Sequence, residues 1–181
     1  MSGTPWHHYG LIVRIAQSLS KAPLGKTKLQ KLVFLMQELK DLPSEYRFHF
    51  YTYGPYSSSL TGDASYLDAI GGLTICQYAN INGYEISPGK EAEAFIAKAQ
   101  PFFDEHGATI DAIIAQFGYK SAQELELIAT LVYVMHYDRK YQAGDRGFLI
   151  AKVKELKPKF NQTEVKAALD ELVGFGYLDA A

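Results

Sequence analysis

The amino-acid sequence predicts a mainly helical α+β protein, with a winged-helix-like N-terminal domain carrying a small antiparallel sheet and a helical C-terminal region. Three observations predict it. Apolar residues recur at helical spacing over most of the chain. Between residues 46 and 87 that period is interrupted by an aromatic stretch that alternates and by a pair of short apolar runs around Asn82-Gly83. The resulting order of helix, helix, strand, helix and hairpin is that of a winged helix.

Leu11, Ile12, Ile15, Ala16 and Leu19 form an apolar stripe, which predicts a first helix from about Trp6 to Ser20, stopped by Pro23 and Gly25. A second helix begins near Lys26 or Thr27 and runs to Pro43, with Leu29, Leu32, Val33, Met36 and Leu39 on its stripe and Lys28, Lys31 and Gln37 off it. From Tyr46, Phe48, Phe50 and Thr52 alternate with His49, Tyr51 and Tyr53, the period of a strand, and Gly54-Pro55 is expected to break it. One of Ser57, Ser58 and Ser59 caps a third helix through Leu60, Ala64, Leu67 and Ile70, closed by Gly71-Gly72. Leu73 to Tyr78 and Tyr84 to Ser87 bracket Asn82-Gly83, a dipeptide suited to a tight turn, and read as a two-stranded wing.

Beyond Pro88 the sequence predicts helices near Lys90 to Ala99 and Ala108 to Phe117, with Pro101 and Gly107 between them. Ser121 and Glu124 form a capping box ahead of Leu125, Ile128, Leu131, Val132 and Met135. A polar loop from Asp138 to Gly147 precedes a helix from Phe148 to Leu156, and Asn161 with Glu164 offers a second capping box for a last helix through Val165, Leu169 and Leu172. The expected organisation is a winged-helix-like domain over 1–87 and a helical region over 88–181 with a second helix-turn-helix-like element, packed on the first.

The net charge of −2 argues against a surface that is one phosphate-binding field, and the 88–119 segment, with two basic and five acidic residues, is the acidic part of the chain. No apolar run approaches the ~20 residues that cross a bilayer, and the start Met1-Ser2-Gly3-Thr4-Pro5-Trp6 has no basic segment leading into an apolar one. A cytoplasmic location without membrane association is the expectation. The lone Cys76 excludes an internal disulfide and reads as a small core residue.

No nucleophile with its base, phosphate-cradling loop or metal-ligand motif stands at a diagnostic spacing, so no catalytic residue, cofactor or metal site is assigned. His7-His8 with His49 could contribute imidazoles to a metal, but adjacent helical residues point about 100° apart, which is expected to leave at most one of the pair facing a shared ligand. His106 is expected in a loop and His136 at a helix end, partly buried and hydrogen-bonded.

Tyr51, Tyr53, Gly54, Pro55 and Tyr56 are the candidates for binding another protein, because tyrosine offers apolar area and a hydroxyl at low entropic cost. Lys26, Lys28 and Lys31 are the candidates for an alternative reading, a DNA-binding transcriptional regulator that would also use the wing from Gln77 to Tyr84. The predicted third helix speaks against groove reading: it carries Asp63 and Asp68 and no Lys or Arg. A homodimer is compatible with the number of apolar faces, although the sequence gives no symmetry.

The run Lys28-Leu29-Gln30-Lys31-Leu32-Val33-Phe34-Leu35, followed by Phe48-His49-Phe50-Tyr51 and Tyr53-Gly54-Pro55-Tyr56-Ser57, resembles the YwgA-like proteins and, more distantly, the Panacea (SocA-like) antitoxin-associated domain, over about residues 8 to 87. The resemblance implies a prokaryotic, non-catalytic regulatory or interaction protein. Panacea domains are linked to toxin neutralisation or to delivery of a partner for proteolysis, so an antitoxin-like role is what the more distant resemblance implies.

Overall fold

The computed structural model describes residues 5–78 and 83–179. It is mainly helical with two small antiparallel sheets, in the order α1 (Trp6–Ser18), α2 (Lys26–Lys40), β1 (His49–Tyr51), β2 (Gly54–Tyr56), α3 (Ser58–Ala69), β3 (Leu73–Gln77), β4 (Tyr84–Pro88), α4 (Ala92–Lys98), α5 (Gln100–Phe117), α6 (Ala122–Tyr137), α7 (Arg146–Leu156) and α8 (Gln162–Gly174). No helix among the described residues is long and apolar enough to cross a membrane.

Local chemistry explains most of the boundaries. Ser57 caps α3 by accepting from the Leu60 N–H, and the capping boxes Ser121/Glu124 and Asn161/Glu164 open α6 and α8. Asp145 accepts from the Phe148 N–H and starts α7 two residues ahead of the expected position. β3 and β4 pair from Leu73–Pro88 to Gln77–Tyr84, and the Ile86 N–H donates to the Leu24 carbonyl at 2.8 Å, tying the hairpin to the segment before α2. Asn82 of the expected turn lies outside the described residues.

The hydrophobic core is continuous across the two halves of the chain. α2 is its axis: Leu32, Val33, Phe34, Leu35 and Met36 are fully enclosed, with α5 and α6 on one side and α3 and β2 on others. α6 in turn receives α7, α8 and β2. α1 lies against α4 so closely that a Cβ on Gly10 would sit 2.2 Å from the Cβ of Ala99, which is why a glycine occupies that point of an otherwise apolar helix face.

Four local expectations are corrected. Gly54-Pro55 does not end the aromatic strand segment but opens its return strand, β2, paired antiparallel with β1 in the register His49–Tyr56 to Tyr51–Gly54; Gly54 at φ 84 supplies the left-handed residue that closes a Thr52-Tyr53 turn. Pro101 and Gly107 do not separate two helices. Pro101 falls in the first turn of α5, where its missing N–H is not needed, and burial of Phe103, Ile110, Ile113 and Phe117 outweighs the ~1 kcal/mol that an internal glycine costs. His106 therefore lies in α5 rather than in a loop. Cys76 is exposed, not core, because the two-residue period of β3 turns Leu73 and Ile75 inward and Thr74 and Cys76 outward.

Candidate functional site

The stripe of α2 predicted from sequence is buried, and so is the face opposite it. Lys28, Gln30 and Lys31 are 6, 4 and 2 % exposed, because the β1–β2 hairpin and α6 close over a face that helical periodicity assigns to solvent. Buried polar groups must be paired to be tolerated, and Gln30 and Lys31 find their partners on the backbone of the hairpin and its exit.

Gln30 reads both sides of one residue: its Oε1 accepts from the Ser57 N–H at 2.8 Å while its Nε2 donates to the Ser57 carbonyl at 2.9 Å and to Thr61 Oγ1 at 3.0 Å. Lys31 Nζ donates to the Pro55 carbonyl at 2.7 Å. From the other half of the chain, Lys157 Nζ donates to the Thr52 carbonyl. Its charge is met by Glu126, whose Oε1 is 2.8 Å away as an ion pair without hydrogen-bond alignment, while Oε2 accepts from Lys159 at 2.7 Å. The Phe50 ring lies 5.3 Å from the Lys157 ammonium. Burial pulls the Lys31 ammonium down to about 8, against the attraction of Glu126 and with the repulsion of Lys157.

Gly54 is fixed twice, by its φ of 84 and by its surroundings, since a Cβ there would lie 3.3 Å from Thr130 Oγ1 and 3.6 Å from Lys31 Cε. The aromatic residues divide by the strand period. Phe48 packs edge-on against Phe34, and Phe50 lies 5.1 Å from Tyr133. Tyr51 and Tyr53 point away and are 61 and 63 % exposed, with Tyr51 edge-on to Tyr56 at 5.6 Å.

Between α2, the hairpin and α3 lies a groove of about 490 Å³ lined by Lys26, Gln30, Lys31, Tyr51, Tyr53 and Tyr56, with Thr27, Gly54 and Thr61 between them and no carboxylate among the lining residues. No protein-family model matches this chain, and no curated protein matches it. The groove is therefore described by its own chemistry: three phenol rings, the exposed ammonium of Lys26, which also rests 3.6 Å above the Tyr84 ring, and the buried amine of Lys31.

The groove gathers residues from both candidate sets. Tyr51, Tyr53, Gly54 and Tyr56 line it together with Lys26 and Lys31, Pro55 is buried, and Lys28 is buried outside it, where the Glu124 carboxylate acts on its charge. Among the residues around the hairpin, the sequence points to neither Glu126 nor Thr130, and it marks Gln30 only within the Lys28 to Leu35 run and Lys157 only as one of a C-terminal cluster of lysines. Glu126 left a trace there, as a carboxylate inside the apolar run Leu125 to Leu131.

Proposed function

We propose that the chain is a non-catalytic regulatory or protein-interaction module of winged-helix type, and that the groove between α2 and the β1–β2 hairpin docks a protein segment that carries an aromatic or apolar side chain next to a carboxylate. The observation that carries the reading is the pairing of two widely exposed tyrosines with a hairpin whose Thr52, Pro55 and Ser57 carbonyls are each held by a side chain from elsewhere in the fold. Aromatic anchors already held in place lose little entropy on binding, which is the property of interface hot spots.

The charge of the groove favours an acidic segment, since the exposed Lys26 lines it and no carboxylate does. The order of helix, helix, hairpin, helix and hairpin in residues 6–88 supports the winged-helix description. The Lys-Leu-Gln-Lys and Tyr-Gly-Pro-Tyr motifs on which the YwgA-like and Panacea resemblance rests are the ones joined by the Gln30 and Lys31 hydrogen bonds. An antitoxin-like role is one form the interaction takes under that resemblance. Duplex DNA is disfavoured as the ligand because the Lys31 amine is enclosed, the Lys28 side chain is mostly covered and α3 presents Asp63 and Asp68 without a basic residue.

Selection of a peptide-display library on the immobilised full chain tests the reading. Enriched peptides are expected to combine an aromatic residue with Asp or Glu, and Tyr51→Ala with Tyr53→Ala should lower their affinity at least tenfold. An unaltered peptide set on the double variant sinks the proposal, as does tight duplex retardation that weakens steeply with salt in the absence of peptide binding.

A further inference from the structure

The first turn of α1 brings two imidazoles to a carboxylate in the segment before β1. His7 and His8 are the second and third residues of the helix, and the divergence expected of neighbours does not occur: their ring centroids are 4.3 Å apart, with the rings crossed at 62°. Packing explains the convergence. His8 is drawn onto the Tyr46 ring, centroids 4.6 Å apart, and His7 leans on Phe102. Facing them is Glu45, exposed and held in the left-handed region at φ 54, a conformation that a non-glycine residue keeps only where its surroundings impose it.

One ligand atom from each of His7, His8 and Glu45 lies within 4.8 Å of the other two, and no other group of three such residues does so among the described residues. Three atoms no farther apart than that have a common centre within about 2.8 Å of each, against zinc bonds of ~2.0–2.2 Å to imidazole nitrogen and carboxylate oxygen. Side-chain rotation closes so small a gap.

Two further observations point to a ligand. His8 Nε2 is enclosed and has no hydrogen-bond partner, an orphan that a folded protein rarely keeps without a use. On the opposite edge of the ring, the Asp63 carboxylate stands 3.6 Å from Nδ1 and is itself held by the Tyr46 hydroxyl at 2.7 Å. A carboxylate behind one nitrogen and a free second nitrogen is the arrangement that orients metal-bound histidines. The cluster borders a cavity of about 470 Å³ lined by His8, Glu45, Arg47, His49 and Asp63, with room for water or a further ligand.

We propose that His7, His8 and Glu45 bind one divalent transition-metal ion of the zinc class, with Asp63 orienting His8. Two imidazoles and one carboxylate suit zinc, cobalt, nickel or copper and do not suit magnesium or calcium, which prefer all-oxygen shells. The site is separate from the groove, so neither proposal depends on the other.

The test is titration of the chelator-treated full chain, purified without a polyhistidine tag, with Zn²⁺ by calorimetry and with Co²⁺ by visible absorption. One equivalent should bind, shift the imidazole resonances of His7 and His8, and bind more weakly as pH falls through the histidine range. His7→Ala and Glu45→Gln, both at accessible positions, should each lower the affinity at least tenfold without altering the circular dichroism of the protein. Asp63→Asn should lower it less. No binding at millimolar metal, or an affinity retained by either His7→Ala or Glu45→Gln, overturns the proposal.

Discussion

The two β-hairpins are held to different degrees by the rest of the fold. β3–β4 pairs five residues on each strand, with Leu73 and Ile86 turned to the core, and adds to its ladder one backbone bond from Ile86 to Leu24 and one from Ile75 to the Asp68 carboxylate. β1–β2 pairs three and three, too few for an isolated hairpin to persist in water, and is fixed through its backbone by Lys31 of α2 and by Lys157 after α7, the latter paired with Glu126 of α6. The contrast teaches how a short element becomes rigid: long-range polar contacts do for β1–β2 what strand length does for β3–β4. It also assigns Lys31 and Lys157 a structural duty that their charge alone does not suggest.

The contrast is broken most severely at Glu126. Replacing it with alanine leaves the enclosed Lys157 ammonium without its counter-charge, and loss of one partner of a buried pair costs about 3–5 kcal/mol. Chemical denaturation of Glu126→Ala should show a loss of that order, with β1–β2 affected before β3–β4.

Lys31 sharpens the comparison through pH. In the folded protein its ammonium loses a proton near 8, and in the unfolded chain near 10.4. Over that interval the unfolded chain binds the extra proton, so stability from this group rises with pH. Wild type should therefore gain stability relative to Lys31→Met between about pH 8 and 10.4, by up to about 3 kcal/mol. A flat difference across that range contradicts the burial of a charged amine at this position.

Gly54→Ala is expected to cost about 2 kcal/mol, since it places a side chain in the left-handed region and against Thr130. Cys76→Ser, at an exposed position of β3, should change stability by no more than ~0.5 kcal/mol. Thermal unfolding of the two variants side by side compares the short clamped hairpin with the longer one.

Much of the fold is legible in the chain because it is written locally. Ser121 with Glu124 and Asn161 with Glu164 mark helix starts within four residues, and the apolar spacing of Leu11 to Leu19 and Leu29 to Leu39 needs no partner to be recognised. The features that escape are those decided by distant segments. Nothing near Lys28, Gln30 and Lys31 reveals that a hairpin and α6 will cover them, so helical periodicity places a buried face in solvent. Gly54-Pro55 has the composition of a terminator, and only the pairing with β1 turns it into a strand. His7 and His8 diverge on an ideal helix, and it is Tyr46, nearly forty residues away in sequence, that draws the second ring back toward the first. For the site, Tyr51, Tyr53 and Tyr56 were visible as an aromatic cluster, whereas Glu126 and Lys157 belong to it only through the tertiary fold.

Backbone ¹⁵N relaxation at Tyr51, Thr52 and Tyr53 tests most directly whether the hairpin is clamped before any partner arrives. A clamped hairpin gives order parameters near the ~0.85 of rigid backbone in the free protein, falling at these residues and not in β3–β4 when Lys157 is replaced by methionine. Values below ~0.6 in the unmodified chain, or no change in the variant, would contradict it.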